Sequence, residues 1–154
     1  MPDPIEEQTN ILIVDDQPEY RLLLKDLLAD HGFAVFTAQD GQDALQVMGR
    51  IEMDVIISDI YMPFMDGFRF LQTVRSMPRY EKLPFIFVSA YDNEYTLNTV
   101  IDPRYQTFLP KTSLIDEFLD WINYFSLPED KRPKSPPNTE TNFGLLEPKY
   151  LFLP

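Results

Sequence analysis

Apolar and polar positions follow two recurring patterns along the first 125 residues of the chain. Short runs rich in β-branched and aromatic residues are typical of strands buried on both faces of a parallel sheet. The runs that predict strands are residues 11–14, 33–37, 55–58, 85–88 and 107–109. The pattern therefore predicts five short strands.

Segments with apolar residues three and four positions apart follow these strands and predict helices. The predicted helices cover about residues 18–31, 41–48, 67–76, 93–101 and 114–125. In the first of them the apolar positions are Tyr20, Leu23, Leu24, Leu27 and Leu28. Asp40 and Ser113 precede the second and the last helix, and we expect both to be N-caps because their side chains can accept hydrogen bonds from unpaired helix amides.

The regular alternation of strand and helix predicts an α/β fold, with a parallel sheet covered by helices on both faces. Sheets of this kind bind ligands at the carboxyl ends of their strands. Polar side chains follow four of the five predicted strands, namely Asp15 and Asp16, Asp59, Ser89 and Lys111. We therefore expect the chemistry of the protein at this edge of the sheet.

Composition excludes several classes of chemistry. The 154 residues contain no cysteine and a single histidine, His31, which excludes thiolate nucleophiles, Cys-ligated zinc and metal sites with several histidines. The five glycines cannot build either of the common nucleotide-binding loops. With 13 basic and 25 acidic residues the formal charge is −12, so we expect no nucleic-acid partner.

The charge is unevenly distributed, and this suggests the domain boundaries. Residues 126–154 hold four basic and four acidic residues and six of the 14 prolines, so the whole net charge lies in residues 1–125. We expect an N-terminal extension at residues 1–9, one domain at residues 10–125, and a proline-rich tail at residues 126–154 with an apolar end. No signal peptide and no run of about 20 apolar residues is present, so we expect a soluble, cytoplasmic protein with no membrane partner.

The polar residues at the strand ends suggest metal and phosphate chemistry. Carboxylates brought to one edge repel one another unless a cation neutralises them. Oxygen ligands favour a hard cation, so Asp15, Asp16 and Asp59 predict a Mg²⁺ pocket. Lys111 and Ser89 add an ammonium and a hydroxyl group, which suit phosphate oxygens. Such a set stabilises a transferring phosphoryl group, and a carboxylate is chemically able to accept it.

The same residues also form motifs. Val14-Asp15-Asp16, the stretch Asp-Ile-Tyr-Met-Pro-Phe-Met-Asp-Gly at residues 59–67, Ser89-Ala90 and Lys111 occur in this order. In their order and spacing they resemble the receiver domain of two-component response regulators, over about residues 10–125. The resemblance implies a doubly wound (βα)5 fold with the flavodoxin-like strand order 2-1-3-4-5. It also implies a phosphoprotein of signal transduction rather than a metabolic enzyme.

The resemblance implies a role for each carboxylate. Asp59 becomes the phosphoacceptor, which receives a phosphoryl group from a phosphohistidine. Mg²⁺ is then held by Asp15, Asp16, Asp59 and the backbone carbonyl of Tyr61. The phosphodonor implied is a histidine kinase or a histidine phosphotransfer protein in a phosphorelay.

The resemblance implies that the remaining site residues contact the phosphoryl group or respond to its presence. Lys111 pairs with it, Ser89 supplies the switch hydroxyl, and Phe108 lies where the family has its aromatic switch. Output then passes to a downstream protein, through the face made by the fourth helix, the fifth strand and the last helix, or through the tail, or within a homodimer. The 29 residues after residue 125 are too few for an ordinary output domain, which favours a stand-alone regulator.

Several positions depart from the family pattern, and two alternatives to a phosphorylated receiver stay open. Thr112 replaces the usual proline after Lys111, and Arg104-Tyr105 replaces the usual Gly-Ala before the fifth strand. One alternative is a receiver-like adaptor that is never phosphorylated. The other is an aspartyl-phosphate phosphatase or phosphotransferase, although the haloacid dehalogenase type has a second aspartate where this chain has Tyr61.

Tyr61 and Tyr91 each lie two residues after a site residue, so we expect their rings to slow attack by water on the phosphoryl group.

Overall fold

Five parallel strands form one sheet, in a computed structural model that describes residues 8–90 and 102–137. The strands are β1 (Asn10–Val14), β2 (Ala34–Ala38), β3 (Val55–Asp59), β4 (Phe85–Ser89) and β5 (Gln106–Pro110). Their order is β2-β1-β3-β4-β5, and every neighbouring pair is parallel. The predicted fold class and strand order are therefore confirmed.

Four helices lie in the described ranges. They are α1 (Pro18–Asp30), α2 (Gly41–Met48), α3 (Gly67–Arg75) and α4 (Ile115–Ser126), and 3-10 turns occur at Pro78–Tyr80 and Glu129–Lys131. None of these helices is long and apolar enough to cross a bilayer. The predicted helix at residues 93–101, Tyr91 and the apolar end of the tail lie outside the described residues.

Two apolar layers cover the sheet, one on each face. Successive side chains of a strand point to opposite faces, so Leu12 and Val14 pack with α2 and α3 while Ile11 and Ile13 pack with α1 and α4. Trp121 of α4 is almost fully buried in the second layer. With both faces covered, the strand ends are left as the place where polar groups meet.

Two details of the predicted helices are wrong. Leu23 is 59% exposed and Leu27 is 37% exposed, so the buried stripe of α1 is narrower than the apolar spacing suggested. Ser113 is not the N-cap of the last helix. Its amide donates to Pro110 O at 2.9 Å in a turn, and Leu114 takes the capping position with no side-chain hydrogen bond. Asp116 and Glu117 in the first turn of α4 interact favourably with the positive end of the helix dipole and stabilise the start of the helix instead.

Residues 127–132, which follow α4, remain in contact with the domain. The Arg132 guanidinium donates to Phe125 O at 3.1 Å, Leu127 O at 3.0 Å and Arg104 O at 3.0 Å. Tyr105 Oη donates to Glu129 Oε1 at 3.0 Å. Arg104 and Tyr105, which depart from the family pattern, thus contact residues 129–132 across the amino end of β5.

Gly67 is the position at which the loop after β3 turns into α3. Its amide donates to Ile60 O at 2.7 Å, and Asp66 caps the helix by accepting from the Arg69 amide at 2.8 Å. A Cβ at residue 67 would collide with the carbonyl oxygen of Asp59 and lie 3.0 Å from Ile60 Cα. Because both obstacles are backbone, they cannot move aside like the end of a flexible side chain.

We expect Gly67→Ala to lower the free energy of unfolding by about 2 to 3 kcal/mol, because overpacking against backbone forces a shift of the chain. The matched control is Gly49→Ala at the end of α2, where the nearest atom to an added Cβ is 3.4 Å away. Urea unfolding of both variants measures the difference. Equal stability of the two variants would contradict the close approach at Gly67.

Candidate functional site

Three carboxylates meet at the carboxyl edge of the sheet. Asp15 and Asp16 follow β1, and Asp59 is the last residue of the neighbouring strand β3. One oxygen atom of each carboxylate lies within 4.8 Å of the others. Asp15 and Asp59 are buried while Asp16 is exposed, so the cluster is open to solvent on one side.

Lys111 lies directly after β5 and reaches across the site. Its Nζ is 2.8 Å from Asp15 Oδ2 and 3.3 Å from Asp59 Oδ2, and its side chain is only 10% exposed. Its backbone amide donates to Ser89 O at 3.0 Å, which extends the pairing of β4 and β5 to the edge of the sheet. The backbone thus carries the ammonium group to the two buried carboxylates.

Backbone amides orient the two buried carboxylates. Asp15 Oδ1 accepts from the Gln17 amide at 2.8 Å, and Asp59 Oδ1 accepts from the Ile60 amide at 2.8 Å. The Oδ2 atoms of both residues are the ones that face Lys111. Each carboxylate is therefore held at one oxygen and presents the other to the pocket.

The electrostatics of the pocket leave negative charge uncompensated. Burial, with a smaller contribution from the neighbouring Asp15, raises the pKa of Asp59, and Lys111 and the Ile60 amide act in the opposite direction; the net pKa is about 6. Three carboxylates and one ammonium carry a formal charge of −3 + 1 = −2. An all-oxygen donor set with this charge fits a hard divalent cation such as Mg²⁺.

The other predicted site residues lie at the same edge or close behind it. Ser89 ends β4, is almost fully buried, and stands one position beyond Val88, the partner of Asp59 in the ladder. Phe108 of β5 is buried in the core beside Phe87. Tyr61 is 45% exposed in the loop after Asp59. Their roles remain predictions.

Two residues that the sequence did not identify also contact Lys111. Its Nζ is 2.9 Å from Gln17 Oε1 and 4.8 Å from the centre of the Tyr20 ring. Burial raises the pKa of Tyr20 well above its ordinary value, with smaller contributions from Asp15 and Asp59, so the phenol stays neutral. Tyr20 has the spacing of a core residue, and spacing alone does not reveal a contact with a lysine 91 positions later.

A parallel α/β sheet that brings an acidic cluster and a lysine to its carboxyl edge defines the class of this protein. Residues 11–123 match the model of the family described as response regulator receiver domain. The chain belongs to this family. Receiver domains are signalling phosphoacceptors that bind Mg²⁺ at their acidic cluster and interact with histidine kinases and downstream proteins.

Individual relatives agree with the family match. The chain is 45% identical over 87 residues to a probable chemotaxis protein CheY of Rhizobium etli, covering 56% of this chain and 67% of that protein. It is 36% identical over 104 residues to an uncharacterised 14.6 kDa protein of Leptolyngbya boryana, covering 68% of this chain and 79% of that one. The solved structure of chemotaxis response regulator CheY4 of Vibrio cholerae is similar to this chain with a TM-score of 0.70 and 28% identity, covering 77% of this chain and 99% of that one.

The raised pKa of Asp59 predicts a stability effect with a definite sign. The folded protein holds the Asp59 proton more tightly than the unfolded chain, so the stability contributed by this group is lost as pH rises from about 4 to about 6. Asn has no proton to lose. In metal-free buffer we therefore expect Asp59→Asn to be more stable than the wild type by about 2 to 3 kcal/mol at pH 7, and by much less near pH 4.5.

Urea unfolding between pH 4.5 and pH 7.5, in the presence of a chelator, measures this difference. Asp26→Asn on the exposed surface of α1 is the matched control and is expected to show no such trend. A constant difference between Asp59→Asn and the wild type across this range would contradict the electrostatic interpretation. Saturating Mg²⁺ is expected to narrow the gap, because it stabilises the folded wild type.

Proposed function

We propose that Asp59 is the phosphoacceptor of a two-component phosphorelay. The observation that carries this proposal is the position of its carboxylate, which is buried, fixed at Oδ1 by the Ile60 amide and open at Oδ2 towards Lys111. A carboxylate held in this way is a preorganised nucleophile. The phosphodonor is a phosphohistidine of a histidine kinase or of a histidine phosphotransfer protein.

In the proposed transfer one oxygen of the Asp59 carboxylate attacks the phosphorus atom of the phosphohistidine. A P–O bond forms and the P–N bond breaks, so the imidazole leaves with the bonding electron pair and takes up a proton from solvent. Asp59 becomes an acyl phosphate. The negative charge that gathers on the phosphoryl oxygens needs a cationic environment.

The residues that would hold Mg²⁺ are Asp15, Asp16, Asp59 and the backbone carbonyl of Tyr61. When bound, the ion neutralises the carboxylates and the phosphoryl oxygens. Asp15 and Asp16 support this assignment because their oxygen atoms lie within reach of the Asp59 carboxylate. The formal charge of −2 in the pocket equals the charge that one such ion compensates.

Lys111 is proposed to pair with the phosphoryl group. Its Nζ is already 3.3 Å from Asp59 Oδ2, so a phosphoryl group on that carboxylate comes within reach of the ammonium. An ammonium paired with phosphate oxygens gains a charge-assisted hydrogen bond. Lys111 thereby exchanges one anionic partner for another without leaving the pocket.

The proposed output is a change in protein contacts. Ser89 stands at the end of β4 beside the site, and Phe108 lies behind it in β5. Phosphorylation is proposed to draw the Ser89 hydroxyl towards the phosphoryl group and to favour an inward Phe108, which biases a two-state equilibrium. Because Phe108 has no hydroxyl group, its part in the switch is packing alone.

Phosphorylation itself is tested with a small-molecule phosphodonor and Mg²⁺. We expect an adduct of one phosphoryl group per chain, stable in acid and labile in base, which is lost in Asp59→Asn and kept in Asp26→Asn. Intact mass spectrometry measures the stoichiometry. A protein that forms no adduct would be an adaptor, and multiple turnover on an unrelated phosphate ester would indicate an enzyme; either result contradicts the proposal.

The loop after Asp59 predicts the lifetime of the phosphoryl group. The Tyr61 side chain is half exposed in this loop, where its ring can shield the phosphorus atom from water. We expect Tyr61→Ala to speed the loss of the phosphoryl group several-fold, measured as decay after the phosphodonor is removed. Phe64→Ala, which removes an even more exposed ring in the same loop, is the control and is expected to leave the decay unchanged.

A further inference from the structure

Lys111 is held by two kinds of partner. Asp15 and Asp59 contact its ammonium group as anions, whereas Gln17 and Tyr20 contact it as uncharged groups. The first two partners also belong to the acidic cluster that fits a divalent cation. A cation in the cluster competes with Lys111 for both carboxylates, but it does not compete for the amide oxygen or the aromatic ring.

The two uncharged partners come from the start of α1, which is tied to the site. The Arg21 amide donates to Gln17 O at 3.1 Å, and Arg21 Nη1 donates to Asp15 O at 2.6 Å. The Tyr20 ring is packed against the core layer that includes Leu24 and Phe118. These contacts fix the position of Tyr20 relative to the carboxylates without help from Lys111.

Empty space borders Lys111. A cavity of about 70 Å³ between α1 and α4 is lined by Tyr20, Leu24, Lys111 and Phe118, among other residues. The Tyr20 ring lies beside this space and 4.8 Å from the ammonium group. Without the ring, the flexible stem of Lys111 gains room to turn away from Asp59.

We propose that Tyr20 and Gln17 are positioning residues for Lys111, which keep its ammonium group beside Asp59 when the carboxylates bind a cation or a phosphoryl group. A ring face attracts a cation electrostatically without neutralising it, so Lys111 keeps its full charge for the phosphoryl oxygens. The inference concerns the site of the proposed phosphoacceptor function and rests on that function for its kinetic consequence. The restraint on Lys111 itself is independent of phosphorylation.

Substitution of Tyr20 separates the ring from its hydroxyl group. We expect Tyr20→Leu to lower the initial rate of phosphorylation by a small-molecule phosphodonor about three- to tenfold, while Tyr20→Phe keeps the rate because it keeps a ring. Mg²⁺ affinity is expected not to fall in either variant, because the carboxylates of the cluster are unchanged. Tyr105→Leu removes a ring that lies over Arg104, away from the site, and is the matched control.

A double-mutant cycle tests whether Tyr20 acts through Lys111. In a Lys111→Met background we expect Tyr20→Leu to have no further effect on the rate, because the group that it positions is gone. Gln17→Leu, on an exposed side chain, provides a second variant that does not depend on core packing. An effect of Tyr20→Leu that persists at full size in the Lys111→Met background would overturn the proposal, as would equal losses in Tyr20→Leu and Tyr20→Phe.

Chemical labelling measures how strongly the Lys111 side chain is held in place, and it does not require phosphorylation. An amine-reactive acylating reagent is applied to the full-length protein, and peptide mass spectrometry compares the labelling rates of Lys111 and the exposed Lys82 in the same molecules. We expect Tyr20→Leu to raise the Lys111 rate several-fold relative to Lys82, with Tyr20→Phe and Tyr105→Leu unchanged. An unchanged ratio in Tyr20→Leu would overturn the positioning role. Increased labelling in a protein that accepts no phosphoryl group would overturn only the proposed function.

Discussion

The burial of two neighbouring carboxylates, Asp15 and Asp59, at the carboxyl edge of the sheet is the constraint on which the rest of the site depends. Parallel pairing of β1 and β3 brings Asp15 and Asp59 together despite the electrostatic repulsion between their carboxylates. Lys111 relieves part of the repulsion. Burial, together with the nearby Asp15, raises the pKa of Asp59, so the ionised form of this carboxyl is costly in the folded chain. The folded chain therefore stores an electrostatic cost that a divalent cation or a neutralised carboxylate removes.

The fold tolerates the electrostatic free-energy cost of the buried carboxylates because apolar layers on both faces of the sheet fix the positions of the strand ends. The close approach of Gly67 to the Asp59 carbonyl locks the loop after β3, and the Ile60 amide holds the carboxylate itself. Lys111 is carried to the same place by the ladder between β4 and β5. The apolar layers stabilise the fold, so the few polar residues at the edge of the sheet are not needed for stability and can take part in binding and catalysis.

Much of this arrangement could be predicted from the sequence because strand ends are marked by local signals. The acidic pair after one apolar run, Asp59 after another and Lys111 after the last need only the rule that parallel strands end at one edge. What escaped prediction depends on contacts distant in sequence. Helical spacing predicts that Tyr20 faces the core, but it does not predict the contact with Lys111. The turn that Ser113 makes with Pro110 prevents Ser113 from capping the last helix. The carbonyl of Arg104 accepts a hydrogen bond from Arg132, which lies 28 positions later in the chain.

The titration of Asp59 itself tests the central claim most directly. NMR of the metal-free protein, with the Asp59 carboxyl carbon assigned by its absence in Asp59→Asn, measures the pKa of this side chain before and after addition of Mg²⁺. We expect a pKa of about 6 without metal and a clear fall when Mg²⁺ is present. An ordinary carboxyl pKa that does not respond to Mg²⁺ would contradict the claim that uncompensated charge at this edge prepares Asp59 for its function.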